Sequence, residues 1–239
     1  MDKSVYKRQF EENKDHWWFE SRKKIVQNIL KKNIKKKKIK ILDFGCGVGI
    51  NLEMLSKFGD LTAYDDNKIV LKFIRKKFLN RKIRFTNTIN DKKKYDLIVA
   101  MDVIEHINDD KKIVEKLNRK LLKNGKILIT VPAYNFLFTT KDKILHHKRR
   151  YSKESILNIL RPNFKKIKCS YYNFFLAPLI IPTLLFYKIF NIEFIDKVEK
   201  KGNNILNYLF KKIFSSERYI LNNINFPFGI SILYLGKKK

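Results

Sequence analysis

The residues that carry the most specific chemistry are Asp43-Phe44-Gly45-Cys46-Gly47-Val48-Gly49, a glycine-rich bend between the apolar run Ile39–Phe44 and a helical pattern at Leu52, Leu55 and Phe58. In open α/β sheets, ligands bind beyond the carboxyl ends of the strands, where glycines let them approach the backbone. A dinucleotide fingerprint would need a small residue at position 50 or 52, according to whether it starts at Gly45 or Gly47; the chain has Ile50 and Leu52. Asp43 sets a carboxylate beside the bend, which repels a pyrophosphate and attracts a cation. A sulfonium carrying an amino acid suits that charge. Asp65, twenty residues after Gly45, ends a second apolar strand, placed to accept hydrogen bonds from ribose hydroxyls.

A second group could move protons. His106, in Glu105-His106 after a fourth strand, and His147, in His146-His147-Lys148-Arg149-Arg150-Tyr151, are candidate general bases, because histidine titrates near neutral pH. Arg149 and Arg150 are candidates to clamp a phosphate or carboxylate on an acceptor, since the guanidinium fork can bond two oxygens of either. Tyr151 is the candidate to orient that acceptor. The structural alternatives are a helix-start histidine that shapes a pocket and a solvated basic loop. No metal site is expected: Asp102, Glu105, Asp109 and Asp110 lack convincing Mg²⁺ spacing, and no Cys/His group has zinc spacing. Asp109–Asp110 read as acids at a helix start.

These residues need a scaffold, and residues 39–136 supply one by alternating strand and helix. The strands read as Ile39–Phe44, Leu61–Asp65, Lys82–Thr86, Tyr95–Met101 and Lys126–Val131. Helical faces lie between them, one closed by Gly59 as a C-cap and one by Asn124–Gly125. Such alternation implies right-handed crossovers and a parallel sheet covered on both sides. Residues 1–38 read as a helical arm with the aromatic cluster His16, Trp17, Trp18 and Phe19. Residues 39–239 form the main domain, with an apolar and helical insertion at about 174–224. Within that domain follow a helix at Ser152–Leu160, a strand at Lys165–Tyr172, helical patterns in Ile192–Ile213 and Glu217–Asn222, and a last strand at Ile230–Leu235.

Composition bounds the function. Lys and Arg number 53 against 23 Asp and Glu in 239 residues, so 53 − 23 gives +30, and 44% hydrophobic residues exclude a disordered tail. Lysine runs such as Lys35–Lys38 spread through the chain, so solvated lysine faces and a surface for nucleic acid or anionic membrane both remain open. Two cysteines, Cys46 and Cys169, make no disulfide framework, and Met1–Asn13 has no apolar signal region, which sets a cytoplasmic expectation. Phe174–Tyr187 is uncharged, contains Pro178 and Pro182, and at fourteen residues is short of the roughly 20 needed to span a bilayer. Its prolines are expected to break any simple helix. A buried cap over the site and a shallow membrane-surface element, giving a cytoplasmic but membrane-peripheral protein, are the two readings.

ILDFGCGVG, AYDDN, YDLIVAMDVIEHI and LLKNGKILITVP resemble the motifs of class I S-adenosylmethionine-dependent methyltransferases over roughly residues 16–136. AMDVIEHI, with the aromatic arm ending in Arg22, is most similar to the type-11 and ubiquinone-biosynthesis-like subgroup. Asn124-Gly125-Lys126 departs from the family's usual pair of glycines. The resemblance implies a Rossmann-like α/β fold with a seven-stranded, mostly parallel sheet whose last strand is antiparallel. It implies S-adenosylmethionine as cofactor. Gly45, Cys46, Gly47 and Gly49 would line its methionine part, with Asp43 near the amino group and Arg22 at the carboxylate. Asp65 would hold the ribose, Asp66 the adenine edge with Asn87 and Thr88, and Met101 and Asp102 would lie beneath the sulfonium. The implied function is methyl transfer to a small-molecule or lipid-linked acceptor, at oxygen. RNA methylation is the rival, though position 101 opens Met101-Asp102-Val103-Ile104 rather than the polar-Pro-Pro-aromatic tetrapeptide of base amino methylation. A non-catalytic cofactor-binding protein is the third reading.

Overall fold

A computed structural model describes residues 3–36, 38–90, 92–190 and 204–239. Two helices, α1 (Lys3–Lys14) and α2 (Trp17–Asn33), precede the sheet, and β1 (Ile39–Phe44), α3 (Leu52–Ser56), β2 (Gly59–Tyr64), α4 (Lys68–Lys77) and β3 (Ile83–Thr86) build its first half. The second half holds β4 (Tyr95–Met101), α5 (Asp110–Lys120), β5 (Leu121–Pro132), α6 (Thr140–Ile144), α7 (Lys153–Leu160), β6 (Phe164–Tyr172), α8 (Ala177–Ile189), α9 (Asn204–Leu221) and β7 (Ser231–Lys238). The seven strands run in the order β3-β2-β1-β4-β5-β7-β6. Only β7 is reversed, antiparallel to both β5 and β6. The order turns back between β1 and β4, which pair in parallel from Ile41↔Leu97 to Asp43↔Val99. That switch point is where such a sheet opens a crevice.

Local chemistry explains the helix starts. Asn67 accepts from the amides of Ile69 and Val70 to cap α4, and Asp109 accepts from Lys112 to cap α5, as a helix-start acid should. Ser152 and Ser155 form a reciprocal cap on α7. The apolar strands β1, β4 and β5 are buried between helices, as a parallel sheet covered on both faces requires.

Three expectations are corrected. Gly59 does not cap a helix: it opens β2 opposite Ile39, so close that an added Cβ would lie 2.0 Å from the Ile39 carbonyl oxygen. The helical patterns of 192–213 and 217–222 are one helix, α9, in their described part; residues 192–203 fall outside the described residues. The prolines do not break the apolar segment. Pro178 sits in the first turn of α8, where no amide donor is needed, and Pro182 costs the helix one hydrogen bond without ending it.

The aromatic arm is a staple. Asn207 accepts from the Trp17 amide, the Ser21 hydroxyl donates to the Lys211 carbonyl, and Asn28 donates to that of Arg218, so α2 and α9 run side by side in the same direction. Trp17 and Trp18 pack on Phe210 and Phe214 at centroid distances of 5.3–6.0 Å, which spends their faces on the protein rather than on stacked bases.

Glu217 fastens α9 from the other side. Fully buried, it accepts the amides of Asn173 (2.8 Å) and Phe175 (3.0 Å) where β6 gives way to α8. Burial raises its pKa to about 7, with the two amides opposing. The native state therefore holds a proton that the unfolded chain has released between about pH 4.5 and 7, and stability falls as pH rises through that window. The expected loss is about 3 kcal/mol. Urea unfolding at pH 5 and 7.5 checks it: the stability difference between wild type and Glu217→Gln should shrink or reverse with pH, and a pH-independent difference would refute the shift.

Candidate active site

The glycine bend leaves the carboxyl end of β1 and folds back on β2: the amides of Gly45 and Cys46 both donate to the Tyr64 carbonyl at 2.9 Å. Gly45 and Gly47 have left-handed φ of 75° and 50°, which favours glycine. A Cβ on Gly45 would strike Val103 at 2.6 Å, whereas one on Gly47 would meet nothing within 4 Å, so the bend opens to free space at Gly47. Asp65 braces it: one carboxylate oxygen accepts the Gly47 amide (2.9 Å), the other the Asn67 amide (3.0 Å). Cys46 is buried and its thiol pushed up by burial, so it contributes backbone rather than a nucleophile.

Asp43 lies beneath the bend, 1% exposed, with Oδ2 lacking a partner. Burial raises its pKa to about 7, Arg22 pulling it down and Asp65 pushing it up. Arg22 arrives from α2, buried, its guanidinium 5.2 Å from the Phe19 ring centroid. It makes an ion pair with Asp102, which also accepts from the Thr130 hydroxyl at 2.8 Å, while the Arg22 Nε has no partner. Asp102 sits at φ 54°, a strained conformation for a non-glycine residue, at the turn that follows buried Met101. An orphaned buried carboxylate and an orphaned guanidinium nitrogen in one crevice fit a ligand that carries both an ammonium and a carboxylate, with Asp65 beside it for a diol. Asp66 is exposed next to Asp65. The Thr86 carbonyl accepts the Asp65 amide, bringing the end of β3 alongside; there Asn87 is half-buried, and Thr88 turns onto the Thr86 hydroxyl.

The 137–151 segment closes the site over the loop after β4. Lys148 donates its amide to the Glu105 carbonyl at 2.7 Å, and the His106 and His147 rings meet edge to face with centroids 4.6 Å apart. Asp142, which sequence reading missed, organises this segment. It pairs with His147 Nδ1 (2.8 Å), takes both arms of the Arg150 fork (2.9 Å each) and accepts the Thr139 amide. Although burial opposes it, these partners hold its carboxyl far below the usual range. The only local signal is Thr139-x-x-Asp142, a capping pattern at the start of α6. Desolvation, then the neighbouring His147, lowers the pKa of His106.

Arg149, Arg150 and Tyr151, the candidate acceptor residues, all have partners within the protein. Arg149 is engaged by Asp110 and the Asn108 carbonyl, Arg150 by Asp142, and the buried Tyr151 hydroxyl donates to Asp110 at 2.9 Å. Their polar ends are spent on stitching the segment down. Glu105, His106 and His147, a grouping not expected from their spacing in sequence, bring one ligand atom each to within 4.8 Å of one another. Both Glu105 oxygens are buried without partners, and desolvation followed by Asp102 raises its pKa well above the carboxylate range. Such a set could hold a divalent cation, with Asp142 fixing the His147 tautomer from behind.

Residues 14–174 match the family described as a methyltransferase domain, which is more than half of the chain. The chain belongs to the class I methyltransferases. Its sheet order, with one reversed strand, is the architecture the motifs implied. The methyltransferase is 33% identical over 121 residues to a ubiquinone biosynthesis O-methyltransferase of Pelagibacter ubique, covering 46% of this chain and 50% of that protein. It thus spans about half the length of that relative. An uncharacterised protein of Methanocaldococcus jannaschii is 31% identical over 186 residues, 75% of this chain and 78% of its own. Among solved structures, the plantazolicin methyltransferase BpumL in complex with S-adenosylhomocysteine superposes with a TM-score of 0.59 at 17% identity, covering 99% of this chain and 88% of that one. That likeness shows the fold.

Proposed function

We propose that this methyltransferase uses S-adenosylmethionine to methylate an oxygen of a small or lipid-linked acceptor, presented at an anionic lipid surface. The observation that carries the cofactor is the buried, partnerless Oδ2 of Asp43 beneath the glycine bend, with Asp65 beside it. The name of the Pelagibacter relative supports the oxygen. When bound, the cofactor supplies a methyl carbon activated by its sulfonium. Asp43 meets its ammonium, Arg22 its carboxylate and Asp65 its ribose hydroxyls, while Asp66 and Asn87 lie at the adenine end.

What remains for the protein is to align the acceptor, exclude water and remove a proton. His106, exposed at the rim, takes the acceptor's hydroxyl proton. His147, held by Asp142, packs against the His106 ring and fixes its place. A second reading rests on the unpartnered Glu105 oxygens: a divalent cation on Glu105, His106 and His147 would polarise the acceptor hydroxyl instead.

Labelled cofactor incubated with extracts that are then split into lipid, nucleic-acid and small-molecule fractions tests the proposal. Label in a lipid or small-molecule fraction, stable to mild base, supports it. Label in structured RNA promotes the RNA reading, and no incorporation despite cofactor binding promotes the non-catalytic one. Loss of transfer in EDTA, restored by a divalent cation, selects the cation over the histidine base.

A further inference from the structure

Helix α8 is apolar on every side, yet among its residues only Ala177 is buried. A helix of that composition belongs in a core or in lipid, so the buried cap expected over the site is not what it forms. Its outward stripe is Leu179, Phe186, Ile189 and Phe190, exposed by 55%, 52%, 72% and 62%. Steps of seven and three residues keep Leu179, Phe186 and Ile189 on one flank of the helix, and Phe190, its C-cap residue, follows directly. The opposite flank rests on the turn Asn135–Leu137 that leaves β5, where Lys188 donates to the Phe136 carbonyl at 2.7 Å and Phe136 adds its own 53% exposed ring. The stripe therefore lies at the carboxyl edge of the sheet, the same edge as the cofactor crevice.

We infer that this α8 stripe docks the methyltransferase onto an anionic bilayer, lying in the headgroup boundary rather than crossing it. The inference rests on the proposed lipid-linked acceptor and names the surface from which that acceptor is reached. Thirteen helical residues reach roughly 20 Å, short of a bilayer core, and no described helix is long and apolar enough to cross one. Charge chooses the occupant. A chain of formal charge +30 repels a second copy of itself and is drawn to phosphatidylglycerol-type headgroups, and the apolar stripe then enters the acyl boundary. The two forces leave different signatures, because salt weakens only the first.

Sedimentation with phosphatidylcholine vesicles, with and without phosphatidylglycerol, at about 50 and about 150 mM salt separates them. Wild-type protein is expected to pellet with the anionic vesicles and to keep part of that binding at the higher salt. Phe186→Glu/Phe190→Glu should weaken it roughly tenfold or more at both salts, while Lys111→Ala/Lys112→Ala on α5, outside the stripe, changes it only slightly. Two vesicle results overturn the inference: binding equal in the glutamate variant and wild type, which makes it polycation binding alone, or no binding by the wild type. A wild-type dimer in ultracentrifugation that the glutamate variant splits also overturns it, in favour of a second copy. Both variants should still bind S-adenosylhomocysteine. Because vesicle binding is read without an acceptor, its failure is distinct from failure of the proposed reaction.

Discussion

Asp65→Ala is expected to weaken S-adenosylhomocysteine binding roughly 10²-fold, about 2.7 kcal/mol. The size follows from what one carboxylate does. It accepts the Gly47 amide and the Asn67 amide, so it shapes the bend and the start of α4 at once, beside the space that opens at Gly47. Removing it leaves two amides without their acceptor and, under the proposed function, the ribose without its diol partner, each worth about 1–3 kcal/mol when desolvated. Asp65→Asn should fall between, because its amide can replace one acceptor but must turn a donor towards the other amide. Calorimetry on the folded variants reads the constant directly. An alanine variant that binds like wild type would show that Asp65 only shapes the loop.

His106→Ala is expected to lower kcat roughly 10²-fold or more with cofactor affinity unchanged. The distinction matters because His106 lies exposed at the rim, whereas the proposed cofactor contacts are Asp43, Asp65 and Arg22. His147→Ala should cost less, since its ring packs on His106 from a position fixed by Asp142 and the proposed base is His106. Single-turnover methylation of the acceptor identified by labelling, with each variant, gives the comparison. A large loss in His147→Ala beside a near-normal His106→Ala would move the base to His147. Equal losses in both, abolished by EDTA in the wild type, would favour the cation reading.

Much of this architecture was legible because it is local. The strands Ile39–Phe44 and Tyr95–Met101 were readable to the residue, since a short, mostly apolar run bounded by turns leaves few alternatives. The reversed last strand came with the family motifs rather than from any pattern in Ser231–Lys238. Gly59 misled because glycine serves two unlike needs, a left-handed cap and a close backbone approach, and only the pairing with Ile39 tells them apart. Pro182 misled because a helix end was inferred where the helix absorbs the loss of one bond. At the site, the glycine bend and its carboxylates announce themselves in sequence. Asp142 does not, because its meaning lies in His147 and Arg150 folding back on it. Nor does the approach of Glu105 and His106 to His147, which depends on how 137–151 closes over the loop after β4. The arginines and Tyr151 were legible as candidate acceptor groups from their chemistry, but their pairing with the buried carboxylates of Asp110 and Asp142 was not, because it depends on how the segment folds back.

Titration calorimetry of the wild-type protein against S-adenosylhomocysteine and, separately, against reduced nicotinamide dinucleotide tests the claim on which the rest depends: that the bend at residues 43–49, with a buried acid beneath it, selects a sulfur nucleoside bearing an amino acid. Clear saturable heat with the first compound and none with the second is the predicted result. Binding of the nicotinamide with no heat from S-adenosylhomocysteine would contradict it.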